Sequence, residues 1–181
     1  MDVVALVLLA VWVMLPAYIP NNVAVLAGGG RPIDGGRTWG GKRVLGDGKT
    51  WRGTAAGITA GVLVALGLNA VNSTASEVIA ITFPDFAWGI VIAFPVGAML
   101  GDIVASFLKR RTGRTRGSAF PLVDQLDFVI VALLVGFLFD PAWMLAVFDV
   151  VQLIVVLLVT PILHVGTNVL AYALGLKNEP W

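Results

Sequence analysis

Three carboxylates close to apolar segments are the first residues in this sequence that could do chemistry. Asp102 lies inside a long apolar stretch, with Ser106 and Lys109 following at i+4 and i+7, so all three share one helical face. At 1.5 Å per residue, Asp102 sits roughly 10 Å along the helix from Lys109, a depth suited to the floor of a pocket. A carboxylate at or within a membrane span is expensive to bury and is a functional candidate by default, the alternative being a pair with an arginine of the neighbouring loop. Asp124 and Asp127 stand at i, i+3 where another apolar stretch begins. The helix dipole favours negative charge there, and capping alone would account for Asp124. Together Asp102, Asp124 and Asp127 make an oxygen-rich set beside basic residues, the kind that holds Mg²⁺ jointly with substrate phosphates.

A second group of candidates lies in the segment GGGRPIDGGRTWGGKRVLGDGKTWRG, residues 28–53. Its glycines let backbone N–H groups approach an anion, and its six basic residues supply charge for phosphates. Gly48-Lys49-Thr50 is similar to the end of a phosphate-binding P-loop, but Arg43 stands where that motif requires glycine and no strand precedes it. A polybasic loop that merely attracts anionic lipid is the alternative. Interleaved Trp39, Trp51 and Asp34 favour an ordered loop. The expected nucleotide or phosphate contacts are Arg43, Lys49, Thr50, Arg52, Ser106, Arg110 and Asp34.

The elements that must position these groups are membrane spans. Of 181 residues, 58% are hydrophobic and 13% charged, whereas soluble domains carry about 25% charged residues. Five stretches reach the ~20 apolar residues needed to cross a bilayer: about 3–26, 53–71, 86–108, 126–145 and 150–174. The first lacks a basic lead-in and a cleavage site, which reads as a retained helix. A polar stretch over 69–85 separates the second and third, and a short turn at Asp140-Pro141 the last two.

All twelve Lys and Arg residues fall in two inter-span loops or after the last span, at Lys177. The positive-inside rule therefore places both loops and the C-terminus in the cytoplasm and the N-terminus outside. The expectation is an all-α polytopic membrane protein, one domain over 1–181, with five transmembrane helices and two cytoplasmic loops. Gly53, Gly57 and Gly61, and again Gly97 and Gly101, recur every fourth residue and predict close helix approach. Pro95 and Pro161 remove backbone bonds and could kink their helices. Thr160, His164 and Asn168 share one stripe, for which helix packing is the plainer account. Asn21 and Asn22 end the first span as caps or ligand contacts. Absence of cysteine excludes disulfides and thiol chemistry.

Two cytoplasmic motifs carry a resemblance. The run Gly101-Asp102, Ser106-Phe107-Leu108-Lys109-Arg110 and Pro121-Leu122-Val123-Asp124-Gln125-Leu126-Asp127 resembles the pattern of CTP-dependent phosphatidate cytidylyltransferases. With its PID and LGDGKTWRG segments, the chain is more closely similar over its full length to the archaeal CDP-archaeol synthase family. It departs from the bacterial pattern at Arg116-Gly117-Ser118 and at Pro121-Leu122-Val123, where Lys-Asp and His-Gly-Gly would stand. The resemblance implies transfer of CMP from CTP to an ether-linked isoprenoid glycerol phosphate, with Mg²⁺ and release of pyrophosphate. It makes Asp102, Asp124, Asp127 and Lys109 the catalytic group, and implies CTP and a membrane lipid phosphate as partners, with no nucleic acid. Oligomeric state is open, a homodimer being one option. A transporter or channel and a lipid-binding scaffold are the other classes. Against the transporter stand the one-sided polar loops, the position of Asp102 near one face, and the lack of an evident internal repeat.

Overall fold

The structure is a computed structural model, and it describes residues 2–114 and 123–175. Arg116, Gly117, Ser118, Pro121, Leu122 and Lys177, which entered the charge pattern and the motif, lie outside the described residues. The elements are α1 (Val3–Leu26), β1 (Thr38–Trp39), β2 (Lys42–Arg43), α2 (Trp51–Ile79), α3 (Trp88–Arg111), α4 (Val123–Phe139), α5 (Pro141–Val147) and α6 (Val150–Ala173). Among the described residues α1, α2, α3 and α6 are long and apolar enough to cross a membrane. Helix α4 has 17 residues, or about 25 Å of rise, a little less than the hydrocarbon thickness. Large apolar side chains such as Val78, Leu138 and Ile162 point outward, as lipid-facing helix surfaces require.

Packing follows the small residues. A Cβ added at Gly53, Gly57 or Gly61 would stand 2.8, 2.7 or 2.6 Å from the carbonyl oxygens of Ala24, Pro20 and Pro16 respectively. The series runs in opposite senses along the two helices, so α2 lies antiparallel against α1 in backbone contact. Pro20 has no N–H to give to the Pro16 carbonyl, and that carbonyl is the one Gly61 covers. Pro95 closes on the same glycine, since its Cβ and Cγ would lie 2.7 Å from a Gly61 Cβ. Helix α3 is the most enclosed, with Ile90, Phe94 and Pro95 fully buried. It meets α4 through Gly97 and Gly101, where added Cβ atoms would stand 2.6 Å from Ala132 Cα and 2.5 Å from the Asp127 carbonyl oxygen. Both α3 and α6 run through their prolines without interruption.

Two boundaries and one loop differ from the sequence expectation. Helix α2 continues to Ile79, so most of the expected polar connector over 69–85 is helix. Its polar residues hold the short connector before α3: Asn69 brackets Phe86 by accepting from its N–H and donating to its carbonyl, and Asn72 donates to the Phe83 carbonyl and to Asp85. The fourth helix ends at Phe139 rather than 145 because Asp140 precedes proline and leaves helical geometry at φ −146°, ψ 77°. Asp140 then caps α5, and Asp149 caps α6, each accepting from the N–H three residues on. The first loop adds a two-stranded antiparallel ribbon, Thr38 opposite Arg43 and Trp39 opposite Lys42, to the helices.

Candidate functional site

The glycine contact between α3 and α4 places the acids. Because Gly101 touches the backbone of Asp127 and Phe128, Asp102 is carried beside the first turn of α4. A cavity of about 250 Å³ opens there, and Asp102, Ser106 and Lys109 of α3 and Asp124 and Asp127 of α4 line it. Gly48-Lys49-Thr50 of the first loop form another wall, and Asn21, Asn22, His164 and Asn168 of α1 and α6 form the remaining one. A neighbouring cleft of about 510 Å³ shares Gly48, Lys49, Ser106 and Lys109 with it and extends outward past Lys42, Arg43, Arg110 and Arg114. The cavities form one path from a basic mouth to an acidic floor.

Two lysines bridge the elements. Lys49 Nζ lies 2.5 Å from Asp102 Oδ2, and Lys109 Nζ lies 2.7 Å from both oxygens of Asp124. The four side chains are 20–26% exposed, enough to retain water contact and enough enclosed that each charge depends on its partner. Asp127 accepts from the Phe128 N–H at 2.6 Å. Among the described residues no group of three or more His, Cys, Asp or Glu is in position to hold a metal ion. The expected trio thus shares a cavity without closing into a metal cage, and two of its carboxylates pair with Lys49 and Lys109. The chemistry of an all-carboxylate donor set fits a hard divalent ion such as Mg²⁺.

The rest of the first loop is organised by Asp34. Its carboxylate, 1% exposed, accepts from Arg43 Nε and NH2 and from the N–H groups of Gly36, Leu45 and Gly46 at 2.8–3.2 Å. The Arg43 guanidinium, with help from those N–H groups, holds the carboxyl well below the usual carboxylate range against the opposing effect of burial. Asp34 lines neither cavity, so its place is that of an internal loop anchor rather than the expected phosphate contact. Arg43 reaches the outer cleft, yet its guanidinium is committed to Asp34 and Asp47.

Thr50 caps α2 by accepting from the Gly53 N–H at 3.1 Å and is buried. It lines the inner cavity at the end of a helix whose first turn favours an anion. Arg52, expected to reach phosphate, instead donates to the carbonyls of Ala27 and Gly28 at the end of α1 and lines neither cavity. Arg110 lies on the outer cleft and donates to the Arg114 carbonyl at 2.8 Å.

Two features escaped the sequence reading. Arg111 clamps the ribbon to α3, donating to the carbonyls of Trp39, Lys42 and Arg43 and lying 5.4 Å from the Trp39 ring centre. Nothing in local spacing points to that clamp. The polar wall of Asn21, Asn22, His164 and Asn168 was visible only in pieces, His164 and Asn168 as part of a stripe and Asn21 and Asn22 as caps or ligand contacts, since its assembly depends on α1 meeting α6.

Comparison with known proteins bears on the whole chain. Residues 3–181 match the family model described as CarS-like, CDP-archaeol synthase. The chain is 64% identical over 177 residues to the CDP-archaeol synthase of Halorubrum lacusprofundi, covering 98% of each chain. It is 61% identical over 181 residues to the CDP-archaeol synthase of Haloarcula marismortui, covering 100% of each. Among solved structures it is similar to one described as an intramembrane enzyme for archaeal membrane lipids biosynthesis. That match has TM-score 0.71 and 34% identity over 90% of this chain and 94% of the other.

Proposed function

The chain belongs to the CarS-like, CDP-archaeol synthase family of membrane-embedded enzymes, and from that premise we propose that it transfers CMP from CTP to 2,3-di-O-geranylgeranylglyceryl phosphate. The products are CDP-archaeol and pyrophosphate. The observation that carries the reading is the pairing of Lys49 with Asp102 and of Lys109 with Asp124 across a single cavity, which joins the first loop to α3 and α4. A nucleotidyl transfer needs little beyond such charge and position.

In the reaction an oxygen of the lipid phosphomonoester forms a bond to the α-phosphorus of CTP. The bond from that phosphorus to the bridging oxygen breaks, and pyrophosphate leaves with the electron pair. The attacking oxygen is already ionised at neutral pH, so no strong protein base is required. Lys49 and Lys109 neutralise the charge that gathers on the phosphate oxygens, and the amino end of α2 at Thr50 adds its dipole. Arg110 and Ser106, with Arg43 held in place by Asp34, flank the outer cleft where the nucleotide enters. Asp102, Asp124 and Asp127 would hold Mg²⁺, which when bound supplies positive charge shared among phosphate oxygens.

The same reading takes α4 with α5 as the fourth of five crossings and α6 as the fifth, with the N-terminus outside, the C-terminus inside and the cavity of the membrane-embedded chain open to the cytoplasm. Charge asymmetry supports this orientation, since eleven Lys and Arg residues lie in the first loop and around the end of α3. Purified chain given CTP labelled at the α-phosphate, the lipid phosphate and Mg²⁺ tests the function. Label should appear in lipid in equal amount to the pyrophosphate released. Pyrophosphate release without labelled lipid would refute transfer to the lipid.

A further inference from the structure

The first loop is fastened to α3 at two depths. At the inner one Lys49 reaches Asp102. The outer one is Arg111, nine residues further along the helix and so roughly 14 Å beyond it. Between the two fastenings Ser106, Lys109 and Arg110 form one wall of the outer cleft, while Lys42, Arg43, Leu45 and Gly46 of the loop form the other. Arg111 itself lines neither the cleft nor the inner cavity.

The hydrogen bonds of Arg111 go to backbone, so they fix where the loop stands. NH1 donates to the Trp39 carbonyl at 2.6 Å, and NH2 donates to the carbonyls of Lys42 and Arg43 at 3.2 and 2.9 Å. The fork therefore bridges both strands of the ribbon. The guanidinium also lies 5.4 and 5.5 Å from the ring centres of Trp39 and Phe107, within cation–π range of each. Its Nε is buried and has no hydrogen-bond partner, so the two terminal nitrogens carry the whole polar attachment. Arg43 is thus held by its carbonyl at Arg111 and by its side chain at Asp34, and Asp34 in turn accepts from the N–H groups of Leu45 and Gly46. A continuous series of bonds runs from α3 through the loop wall of the cleft. The ribbon has little order of its own to contribute: each strand has two residues, and such a hairpin is marginal alone. Gly35-Gly36 before it and Gly40-Gly41 at its tip all have positive φ, and glycines regain the most freedom when released.

We infer that Arg111 is a positioning residue for the nucleotide, holding the loop wall of the outer cleft at the spacing CTP requires before CTP arrives. This rests on the reading of that cleft as the nucleotide's entry. With the clamp gone, only the fraction of molecules whose loop wall stands in place binds CTP well, and apparent affinity falls by that fraction. The pairs Lys49–Asp102 and Lys109–Asp124 lie at the inner fastening, so turnover of bound CTP and use of the acceptor are left as they were. Lysine keeps the charge but not the two-nitrogen fork that spans the strands.

The test uses the purified full chain in detergent with Arg111→Gln and Arg111→Lys. It reads kcat and both substrates' KM values, direct binding of labelled CTP, and trypsin cleavage after Arg37 and Lys42 with and without CTP. In Arg111→Gln the KM and Kd for CTP should rise at least tenfold, while kcat and the lipid KM stay within twofold of wild type, which also reports an intact fold. Arg111→Lys should fall between the two. Cleavage should quicken in Arg111→Gln and slow again on addition of CTP, because a loop whose order favours CTP must be ordered by CTP in return. A merely structural role gives no such recovery. Unchanged CTP binding in Arg111→Gln, a loss shared by kcat and both KM values, full recovery in Arg111→Lys, or faster cleavage that CTP leaves unaltered would overturn the assignment while leaving the transfer reaction standing. A wild-type chain that does not bind CTP would overturn the reading of the cleft, and this role with it.

Discussion

Replacing Gly101 by alanine probes the contact that brings the acids together. A Cβ there would stand 2.5 Å from the Asp127 carbonyl oxygen and 2.6 Å from Phe128 Cα, both backbone atoms of α4. Ordinary Cβ contacts begin near 3.4 Å, so α3 and α4 must part by about 0.9 Å. Overpacking of this kind costs about 1–3 kcal/mol of stability. The same shift moves Asp102 against Asp124 and Asp127, and misplacement by about 1 Å can cost about 100-fold in rate.

Gly61→Ala supplies the matched control. Its Cβ would meet the Pro16 carbonyl oxygen at 2.6 Å and Pro95 at 2.7 Å, an equal clash among residues that line neither the inner cavity nor the outer cleft. Gly67→Ala meets nothing within 4 Å and should be neutral or stabilising by up to about 1 kcal/mol through helix propensity. Thermal unfolding in detergent and initial rates of CMP transfer give the comparison. Gly101→Ala and Gly61→Ala should lose similar stability, with turnover falling about 100-fold only for Gly101→Ala. Equal rate losses in both, or wild-type turnover in Gly101→Ala, would refute the positioning role of the α3–α4 contact.

Asp34→Asn removes the charge that Arg43 and three loop N–H groups share, and bonds to a charged group contribute about 1.5–3 kcal/mol each. The first loop should open, read as faster trypsin cleavage after Arg37 and Lys42 with the helices intact. Because the folded carboxyl is held low, its contribution to loop order is complete above the unfolded value near 3.9 and is lost as pH falls below it. Wild-type cleavage should therefore be independent of pH near neutrality. Lys49→Gln should lower turnover or raise the CTP requirement far more than Arg37→Gln, although each removes one charge. Equal, salt-sensitive defects would mean simple attraction to anionic lipid, at about 1 kcal/mol per basic residue. With single cysteines placed in this cysteine-free chain, an impermeant reagent added to intact cells should label position 76 and spare position 37, and the reverse would invert the topology.

Local spacing revealed the parts of the site that lie on one helix. Asp102, Ser106 and Lys109 fall on one face of α3, and the glycines at four-residue intervals forecast where α2 and α3 would be approached. What spacing could not reveal were the partners that side chains choose across the fold. Asp34 and Arg52 carry the right charges for a phosphate site, yet the one is consumed by Arg43 and loop N–H groups and the other by carbonyls at the end of α1. Polarity misled at 69–85, where Asn69 and Asn72 stay helical because the connector before α3 supplies their hydrogen-bond partners. The polar wall on α1 and α6 was readable only in its parts, Asn21 and Asn22 as caps or ligand contacts and His164 with Asn168 on one stripe, since the two groups lie more than a hundred positions apart in sequence.

The central claim is that Asp102, Asp124 and Asp127 together make the inner cavity the site of CMP transfer. Initial rates with Asp102→Asn, Asp124→Asn and Asp127→Asn test it most directly, with Asp149→Asn, a cap at the start of α6, as the control. Each substitution keeps the shape of the side chain and removes its charge. The three cavity variants should each lose at least about 100-fold in Mg²⁺-dependent turnover, the scale on which one stabilising group counts in such a site, while Asp149→Asn stays near wild type. Wild-type turnover in all three cavity variants would contradict the assignment.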